Sequence, residues 1–216
     1  MKPLKILGFA LTVLLLISLT ASAQAPDSTN VDYDAVRDFS VQSNPNGVWS
    51  YGYLTSWGAP FTLFGWTGTC DIEGISWWFI SNCDGLTSIA RNTTSETVCW
   101  ATVCQTPKYL LLNPINGQLS DLRWTAPSSG RFLMEVKFVG LDWAGPTSTF
   151  AYVLLNSKRS LLKAPITSYQ WPLTFVPIAL ELHAGNTIDF IVDWGKDADY
   201  RFDSTGAEVK IWKLRW

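Results

Sequence analysis

The second half of the chain alternates between apolar and polar residues with the period of a β-strand. In residues 132–139, Phe-Leu-Met-Glu-Val-Lys-Phe-Val, every second side chain from Phe132 onward is apolar, and residues 188–193, Ile-Asp-Phe-Ile-Val-Asp, follow a similar pattern. The turn sequences Pro-Ser-Ser-Gly at 127–130 and His-Ala-Gly-Asn at 183–186 come directly before them. Each segment is therefore predicted to be a strand with one buried face.

Turn residues separate short apolar segments through most of the chain, and helical periodicity is hard to find after residue 23. Turn residues at 44–47 precede a predicted strand at 48–53, and a hairpin is predicted around 156–159. Further strands are predicted near 38–42, 109–114, 150–155, 160–162 and 176–182. This pattern predicts an all-β, antiparallel sandwich, with Trp49, Trp124 and Trp212 in its core.

Four segments of the sequence resemble a known set of secreted bacterial modules. They are Asn44-Pro-Asn-Gly-Val-Trp-Ser-Tyr-Gly52, Leu122-Arg-Trp-Thr-Ala-Pro-Ser-Ser-Gly130, Leu182-His-Ala-Gly-Asn-Thr-Ile-Asp-Phe-Ile-Val-Asp193 and Phe202-Asp-Ser-Thr-Gly-Ala-Glu-Val-Lys-Ile211. The resemblance covers roughly residues 38–56 and 110–211, and many modules of that set carry a sorting tail of the PEP-CTERM kind.

The resemblance implies a jelly-roll-like sandwich related in shape to noncatalytic carbohydrate-binding modules, and it implies no established activity. The sequence ends at Lys213-Leu-Arg-Trp216 and contains neither a second hydrophobic segment nor a Pro-Glu-Pro sequence. We therefore do not expect surface sorting through such a tail.

The amino-terminal segment has the pattern of an export signal. Lys2 and Lys5 precede an apolar run from Ile6 to Leu19, which is shorter than the roughly 20 residues that span a bilayer, and Ala21-Ser-Ala23 follows it. We expect cleavage after residue 23, no membrane span afterwards, and a secreted or periplasmic protein. Residues 24–37 are polar and predict a flexible lead into a single domain at 38–216.

The net charge bears on the class of partner, and export bears on whether the cysteines form disulfides. Loss of residues 1–23 changes the formal net charge from −2 to −4, which gives no indication of nucleic-acid binding. The four cysteines, Cys70, Cys83, Cys99 and Cys104, are expected to form two disulfides. We favour Cys70 with Cys83 and Cys99 with Cys104, because each bond then closes a short loop. The nested pairing, Cys70 with Cys104 and Cys83 with Cys99, remains an alternative. A zinc site lacks the usual Cys-x-x-Cys spacing.

Residues 55–108 depart from the strand pattern and hold all four cysteines and many aromatic residues. We interpret this segment as a disulfide-stapled insertion over one face or end of the sandwich. Because the chain has 12 Trp, more than a core of this size requires, some are expected to be exposed as flat platforms for sugar rings. The candidates lie in this segment or in loops: Trp57, Trp66, Trp77, Trp78, Trp143, Trp171 and Trp194. Adjacent Trp77 and Trp78 would point to opposite faces of a strand, so only one would face inward.

Acidic residues crowd the stretch that follows the strand at 188–192. Asp193, Asp197, Asp199 and Asp203 supply hard oxygen ligands at short spacing, which predicts a structural calcium site. The stretch lacks the spacing of an EF-hand loop, and Lys196 and Arg201 could neutralise it instead. Asp203 could equally cap a turn with its side chain.

Sequence support for catalysis is slight. The one histidine, His183, lies in a turn, and no nucleophile elbow occurs. A pair of carboxylates drawn from Glu73, Glu135, Glu181, Glu208 and the aspartates could still serve a glycosidase. The sequence thus predicts a noncatalytic module that binds extracellular or cell-surface glycan. The alternatives are a structural or adhesive envelope protein that binds other proteins, and a carbohydrate-active enzyme.

Overall fold

The computed structural model describes residues 31–81, 83, 87–115, 117–197 and 199–215, which form strands, turns and loops. The strands are β1 (Tyr33–Asp34), β2 (Trp49–Leu54), β3 (Thr62–Leu63), β4 (Trp66–Gly68), β5 (Ile75–Phe79), β6 (Ser88–Asn92), β7 (Val98–Trp100), β8 (Val103–Gln105), β9 (Leu110–Asn113), β10 (Leu119–Thr125), β11 (Gly130–Gly140), β12 (Phe150–Leu155), β13 (Arg159–Pro165), β14 (Leu173–Thr174), β15 (Ile178–Leu182), β16 (Thr187–Val192) and β17 (Thr205–Lys213).

Two antiparallel sheets enclose the main core. The larger has nine strands, seven of them in the order β14-β11-β17-β9-β6-β5-β4, with β1 beside β17 and β15 beside β11. The smaller has six strands in the order β13-β12-β16-β10-β2-β3. Apolar side chains from both sheets, including Trp124, Phe132 and Phe190, meet in one buried cluster. The predicted all-β antiparallel sandwich is confirmed.

Most strands predicted by alternation are present, and the first strand is the main exception. Phe132, Met134, Val136 and Phe138 are buried as predicted, and so are Trp49, Trp124 and Trp212. No strand forms at 38–42, because the chain there runs through turns. Instead, β1 lies within the predicted flexible lead and pairs with β17, where Tyr33 is opposite Ile211.

Residues 55–108 do not lie over the sandwich as a separate insertion. Strands β4, β5 and β6 continue the nine-stranded sheet, and β6 joins it by pairing with β9. The hairpin β7–β8 packs on the outer face of this sheet, where Val103 and Trp100 contact a second apolar cluster that includes Trp77. Residues 55–108 therefore belong to the framework, because they extend the nine-stranded sheet and also cover part of its outer face.

The two disulfides join Cys70 to Cys83 and Cys99 to Cys104, so the favoured pairing is confirmed and the nested one is wrong. The predicted signal at 1–23 and residues 24–30 of the predicted lead lie outside the described residues. Within the described ranges, no helix is long and apolar enough to cross a membrane.

Candidate functional site

The outer face of the six-stranded sheet carries apolar and aromatic side chains where solvent-facing polar residues are expected. On β12 the alternate residues Tyr152 and Leu154 point outward, opposite Ile191 and Asp189 of β16. A small buried cluster on this face contains Tyr152, Leu154 and Ile191 together with Leu54 and Leu119. Because this sheet is covered on both faces, its strands do not show a strict alternation.

The loop between β2 and β3 supplies part of that cover. Phe61, at its end, lies beside Gly52, where a side chain would come within 2.6 Å of the Phe61 ring. The guanidinium of Arg123 on β10 stacks on the same ring, 3.9 Å from its centroid. Trp57 of this loop packs edge-on against Tyr152, with ring centroids 4.3 Å apart and planes at 65°. The loop thus contacts β10 with one aromatic side chain and β12 with another.

Trp57 forms one wall of a groove of about 430 Å³ along the edge of the sheet. Strand pairing builds the rest of the groove, since Lys163 on β13 is opposite Tyr152 and Ser160 is opposite Leu154. The turn between β12 and β13 adds Ser157 and Lys158. We call this the Trp57 groove, lined by Trp57, Tyr152, Leu154, Ser157, Lys158, Ser160 and Lys163. Its volume falls within the range of about 300–1,000 Å³ that is typical of small-molecule sites.

A second depression, of about 250 Å³, lies on the other side of Trp57. It is lined by Ser56, Trp57, Gly117, Leu119, Asp193, Trp194 and Gly195. Trp194 packs closely against Gly117, where an added Cβ would lie 2.8 Å from the indole. Trp57 therefore lines both depressions, and Trp194 lines the smaller one with it.

Tyr152 is held in place from beneath by Asp193. The Tyr152 hydroxyl donates to Oδ2 of Asp193 at 2.7 Å, while Oδ1 accepts from the backbone nitrogens of Phe150 at 2.8 Å and Gly195 at 3.0 Å. Burial raises the pKa of Tyr152, and the neighbouring Asp193 raises it further. The hydroxyl therefore stays protonated and donates throughout the physiological range.

Charged groups are buried beneath the same face. Asp189 accepts from Nε of Arg123 at 2.5 Å and from Oγ of Ser157 at 2.8 Å. Asp121, also fully buried, has no hydrogen-bond partner for either carboxylate oxygen among the described residues. Burial raises the pKa of Asp121 well above its ordinary value, Asp189 raises it further, and Arg123 opposes the change.

Two of the predicted tryptophans line one depression. Trp57, 47% exposed, and the half-buried Trp194 share the smaller depression. Trp66, Trp143 and Trp171 are exposed by 59%, 56% and 78% but lie elsewhere. Trp66 is on β4 at one end of the strand order of the larger sheet, and Trp171 precedes β14 at the other end.

Trp77 and Trp78 are not exposed platforms, which corrects the prediction for both. They point to opposite faces of β5 as expected, but both faces are covered. Trp78 enters the main core and donates from Nε1 to the carbonyl of Ser40 at 2.8 Å. Trp77 packs in the outer cluster, edge-on to Trp100 at a centroid distance of 5.6 Å.

The predicted calcium ligands do not assemble into a metal site. Among the described residues, no group of three or more His, Cys, Asp or Glu side chains could hold a metal ion. Asp193 is engaged with Tyr152, Asp197 accepts from Oγ of Ser148 at 2.8 Å, and Asp199 accepts from the backbone of Arg201 at 3.1 Å.

Asp203 is buried and links two segments of the chain instead of capping a local turn. Its Oδ1 accepts from the backbone nitrogen of Ser148 at 2.9 Å, and its Oδ2 has no partner among the described residues. Burial raises the pKa of Asp203 to about 7, which the hydrogen bond from Ser148 only partly offsets.

The candidate acids for a glycosidase lie outside the groove. Glu135 and Glu208 both bind Nζ of Lys137, at 2.7 and 3.2 Å, on the outer face of the larger sheet. Glu181 lies 3.8 Å from Arg131, Glu73 is exposed on a turn, and His183 is exposed before Gly185. The lining of the Trp57 groove contains no carboxylate.

Tyr152, Lys163 and the serines of the groove are not among the site residues predicted from the sequence. Phe150–Leu155 was predicted as a strand of the framework, and the alternation of Phe150 and Tyr152 with small or apolar neighbours was the available signal. Ala151 and Val153 share the core face of this strand, and Phe150 and Tyr152 share the other face. Two large aromatic side chains on that other face indicate that it is covered too. Which loop covers it depends on contacts between distant parts of the chain.

Comparison with known proteins adds a weak likeness to solved structures. No protein-family model matches the chain, and no curated protein is similar to it in sequence. An exo-β-1,3-galactanase from Phanerochaete chrysosporium is 14% identical with a TM-score of 0.32, over 63% of this chain and 32% of the enzyme. A family 35 carbohydrate-binding module from Clostridium thermocellum is 16% identical with a TM-score of 0.31, over 54% of this chain and 82% of the module.

A third similar structure, a GH26-CBM35 β-(1,4)-mannanase from Podospora anserina, is 14% identical with a TM-score of 0.34. The match covers 67% of this chain and 28% of the mannanase. The chain spans only about a third of the galactanase and less of the mannanase. The similar structures thus include both a carbohydrate-binding module and glycosidases, and likenesses this weak transfer neither a ligand nor an activity to this chain.

Proposed function

We propose that the protein is an exported, noncatalytic module that binds carbohydrate in the Trp57 groove. The observation that carries this proposal is the position of Trp57, an indole exposed by 47% and packed edge-on against Tyr152 above a groove with a polar rim. An exposed aromatic face of this kind suits the apolar C–H face of a sugar ring.

The platform is organised before any ligand arrives. Trp57 rests on Tyr152, and Tyr152 is fixed by its hydrogen bond to the buried Asp193. Because Asp193 also holds the backbone of Phe150 and Gly195, the aromatic pair is tied to β12 and to the turn that follows β16. A rigid platform loses little conformational entropy on binding, which favours recognition of a flat ligand.

The rim of the groove supplies the polar contacts that a sugar requires. Lys158 and Lys163 offer ammonium donors, and the hydroxyl of Ser160, which donates to the carbonyl of Leu162, can still accept a hydrogen bond. The hydroxyl of Ser157 is already held by Asp189 and Arg123. A few polar groups around an apolar floor fix the orientation of a ligand, and sugar hydroxyls both donate and accept hydrogen bonds. With no carboxylate in its lining, the groove is suited to binding and not to acid–base chemistry.

Export is supported by the cysteines and by the amino-terminal sequence. All four cysteines form disulfides, which persist in oxidising compartments such as the periplasm or the extracellular space. The export signal proposed from residues 1–23 agrees with that location. A glycan of the cell surface or its surroundings would be accessible to a protein placed there.

The test is a screen of the disulfide-bonded protein against soluble and insoluble polysaccharides, monitored by tryptophan fluorescence and by co-sedimentation. We expect saturable binding to at least one glycan class and a loss of at least tenfold in affinity for Trp57→Ala. Trp171→Ala is the matched control, since Trp171 is more exposed, precedes a strand of the other sheet and does not line the groove. If the folded protein binds no polysaccharide of the panel, or if both variants lose affinity equally, the proposal is overturned.

A second candidate function is adhesion to another protein of the cell envelope. Trp171 and Val176, 78% and 84% exposed, flank β14 at an end of the larger sheet, and exposed apolar groups of this size often mark protein contacts. Concentration-dependent self-association or capture of an envelope protein that Trp171→Ala abolishes and Trp57→Ala leaves intact would favour this function.

A further inference from the structure

We propose that the ligand of the Trp57 groove is an acidic sugar, whose carboxylate or sulfate binds Lys158 and Lys163 while its ring lies against Trp57. This inference rests on the proposed function and specifies the class of carbohydrate. It follows from the charge of the groove, which differs from that of the chain as a whole.

The groove is positively charged in a protein of net negative charge. Its lining contains two lysines and no acid, whereas the whole chain has a formal net charge of −2. Arg159 is also exposed, at the start of β13 beside Lys158. A local excess of one sign at a concave site raises the concentration of ligands of the opposite sign and speeds their association.

Both lysines have free ammonium groups within the described part of the chain. Neither Lys158 nor Lys163 forms an ion pair there, in contrast to Lys137 and Lys210, which bind glutamates on the other sheet. Nζ of Lys163 lies 5.1 Å from the ring centroid of Tyr152 and 4.9 Å from that of Phe150. The aromatic floor therefore holds this ammonium beside the platform.

The acids nearest to the groove are already engaged and buried. Asp189 is paired with Arg123 and Ser157, and Asp193 accepts three hydrogen bonds. Lys196 adds another ammonium, 5.7 Å from the ring centroid of Phe150. Asp197, its exposed neighbour, is bound to Ser148. An anion in the groove would thus meet lysines without an exposed carboxylate in the lining to repel it.

The geometry suits a ligand that combines an apolar ring face with a negative charge at its edge. Trp57 offers the ring surface, the buried Tyr152 supports it, and Lys163 lies directly across from Tyr152 on the neighbouring strand. Because the lysines are exposed, water screens their attraction, and each charge contributes modestly to affinity. We expect an acidic sugar to bind about tenfold more tightly than its neutral counterpart at low salt, equivalent to about 1.4 kcal/mol.

The experiment compares ligands that differ in charge but not in sugar ring. Polygalacturonate is titrated beside its fully methyl-esterified form, and a sulfated galactan beside the unsulfated galactan, with the disulfide-bonded protein and a tryptophan fluorescence readout. The first pair tests a carboxylate and the second a sulfate. The variants are Lys158→Gln/Lys163→Gln, Trp57→Ala and, as a control for the loss of a lysine outside the groove, Lys108→Gln, which alters an exposed lysine at a different cavity.

We expect at least one acidic polymer to bind about tenfold more tightly than its neutral partner, with a preference that falls as salt is added. The double lysine variant should lose this preference, Trp57→Ala should lose binding, and Lys108→Gln should keep both. Equal binding of acidic and neutral forms would overturn the inference while leaving the proposed function intact. If the acidic polymer still binds to Trp57→Ala, the inference is also overturned, because the attraction is then nonspecific. Binding of no polymer here or in the wider panel would overturn the proposed function itself.

Discussion

The hydroxyl of Tyr152 donates a hydrogen bond of 2.7 Å to Oδ2 of Asp193, and both side chains are buried on the outer face of the six-stranded sheet. This bond connects β12 to the turn that follows β16. It also fixes the ring on which Trp57 rests, so the exposed platform depends on a buried polar pair.

Replacement of Tyr152 by Phe tests that dependence. The ring stays, but Asp193 loses a donor, and a buried carboxylate oxygen without its partner costs about 1–3 kcal/mol. We expect the free energy of unfolding, measured by urea denaturation at pH 7, to fall by that amount. Tyr200→Phe is the control, because Tyr200 is exposed. A loss of less than about 0.5 kcal/mol for Tyr152→Phe would show that the bond does not stabilise the sheet.

Arg123 is expected to be essential for the stability of this face. Arg123→Met keeps an apolar stem near Phe61 but leaves Asp189 buried without its cation, next to Asp121. Removal of one partner of a buried ion pair costs about 3–5 kcal/mol, whereas loss of an exposed pair costs about 0–1 kcal/mol. Arg201→Met supplies the exposed comparison, since its pair with Asp199 is open to solvent. Similar midpoints of thermal unfolding for the two variants would contradict this account.

The contribution of Asp203 to the free energy of unfolding should decrease as the pH rises from about 4 to about 7. Burial raises the pKa of Asp203 from 3.8 to about 7, so in this window the folded state keeps a proton that the unfolded state has released. The free energy of unfolding then falls with a slope of up to about 1.4 kcal/mol per pH unit and becomes level above the folded pKa. The raised pKa of Asp121 acts in the same direction.

Asp203→Asn isolates the contribution of Asp203, because the amide oxygen can still accept from Ser148. Urea denaturation of the wild type and this variant at pH 4.5, 6 and 7.5 gives the difference. We expect the variant to gain stability relative to the wild type as the pH rises. A difference that does not change with pH would mean that Asp203 titrates normally in the folded protein.

Sequence periodicity predicted the strands that have one clearly buried face. In β11 the apolar residues from Phe132 to Phe138 face the main core, and the intervening Glu135 and Lys137 face outward, so the period of two is visible. In β5 both Trp77 and Trp78 are buried, because the β7–β8 hairpin covers the outer face. The sequence of β5 therefore shows no alternation of apolar and polar residues, and for that reason residues 55–108 were interpreted as an insertion.

The candidate site was only partly predictable. Trp57 could be selected from the sequence as a loop tryptophan with a possible binding role. Its partner Tyr152 lies on a strand almost a hundred positions away, and the groove also requires the turn at Ser157 and the neighbouring strand at Lys163. Contacts of this range arise from the order of strands in the sheet, which periodicity does not encode. Burial of Trp77, likewise, depends on the β7–β8 hairpin and not on its immediate neighbours.

The most direct test of the central claim is to map a bound oligosaccharide on the protein by ¹H–¹⁵N correlation spectroscopy. The oligosaccharide comes from the glycan class that the fluorescence screen identifies, and Trp57→Phe assigns the indole signal of Trp57. We predict that the largest shifts fall on the Trp57 indole and on the backbone amides from Ser157 to Lys163. Shifts centred on Trp66, Trp143 or Trp171, with Trp57 unmoved, would contradict the claim that this groove binds carbohydrate.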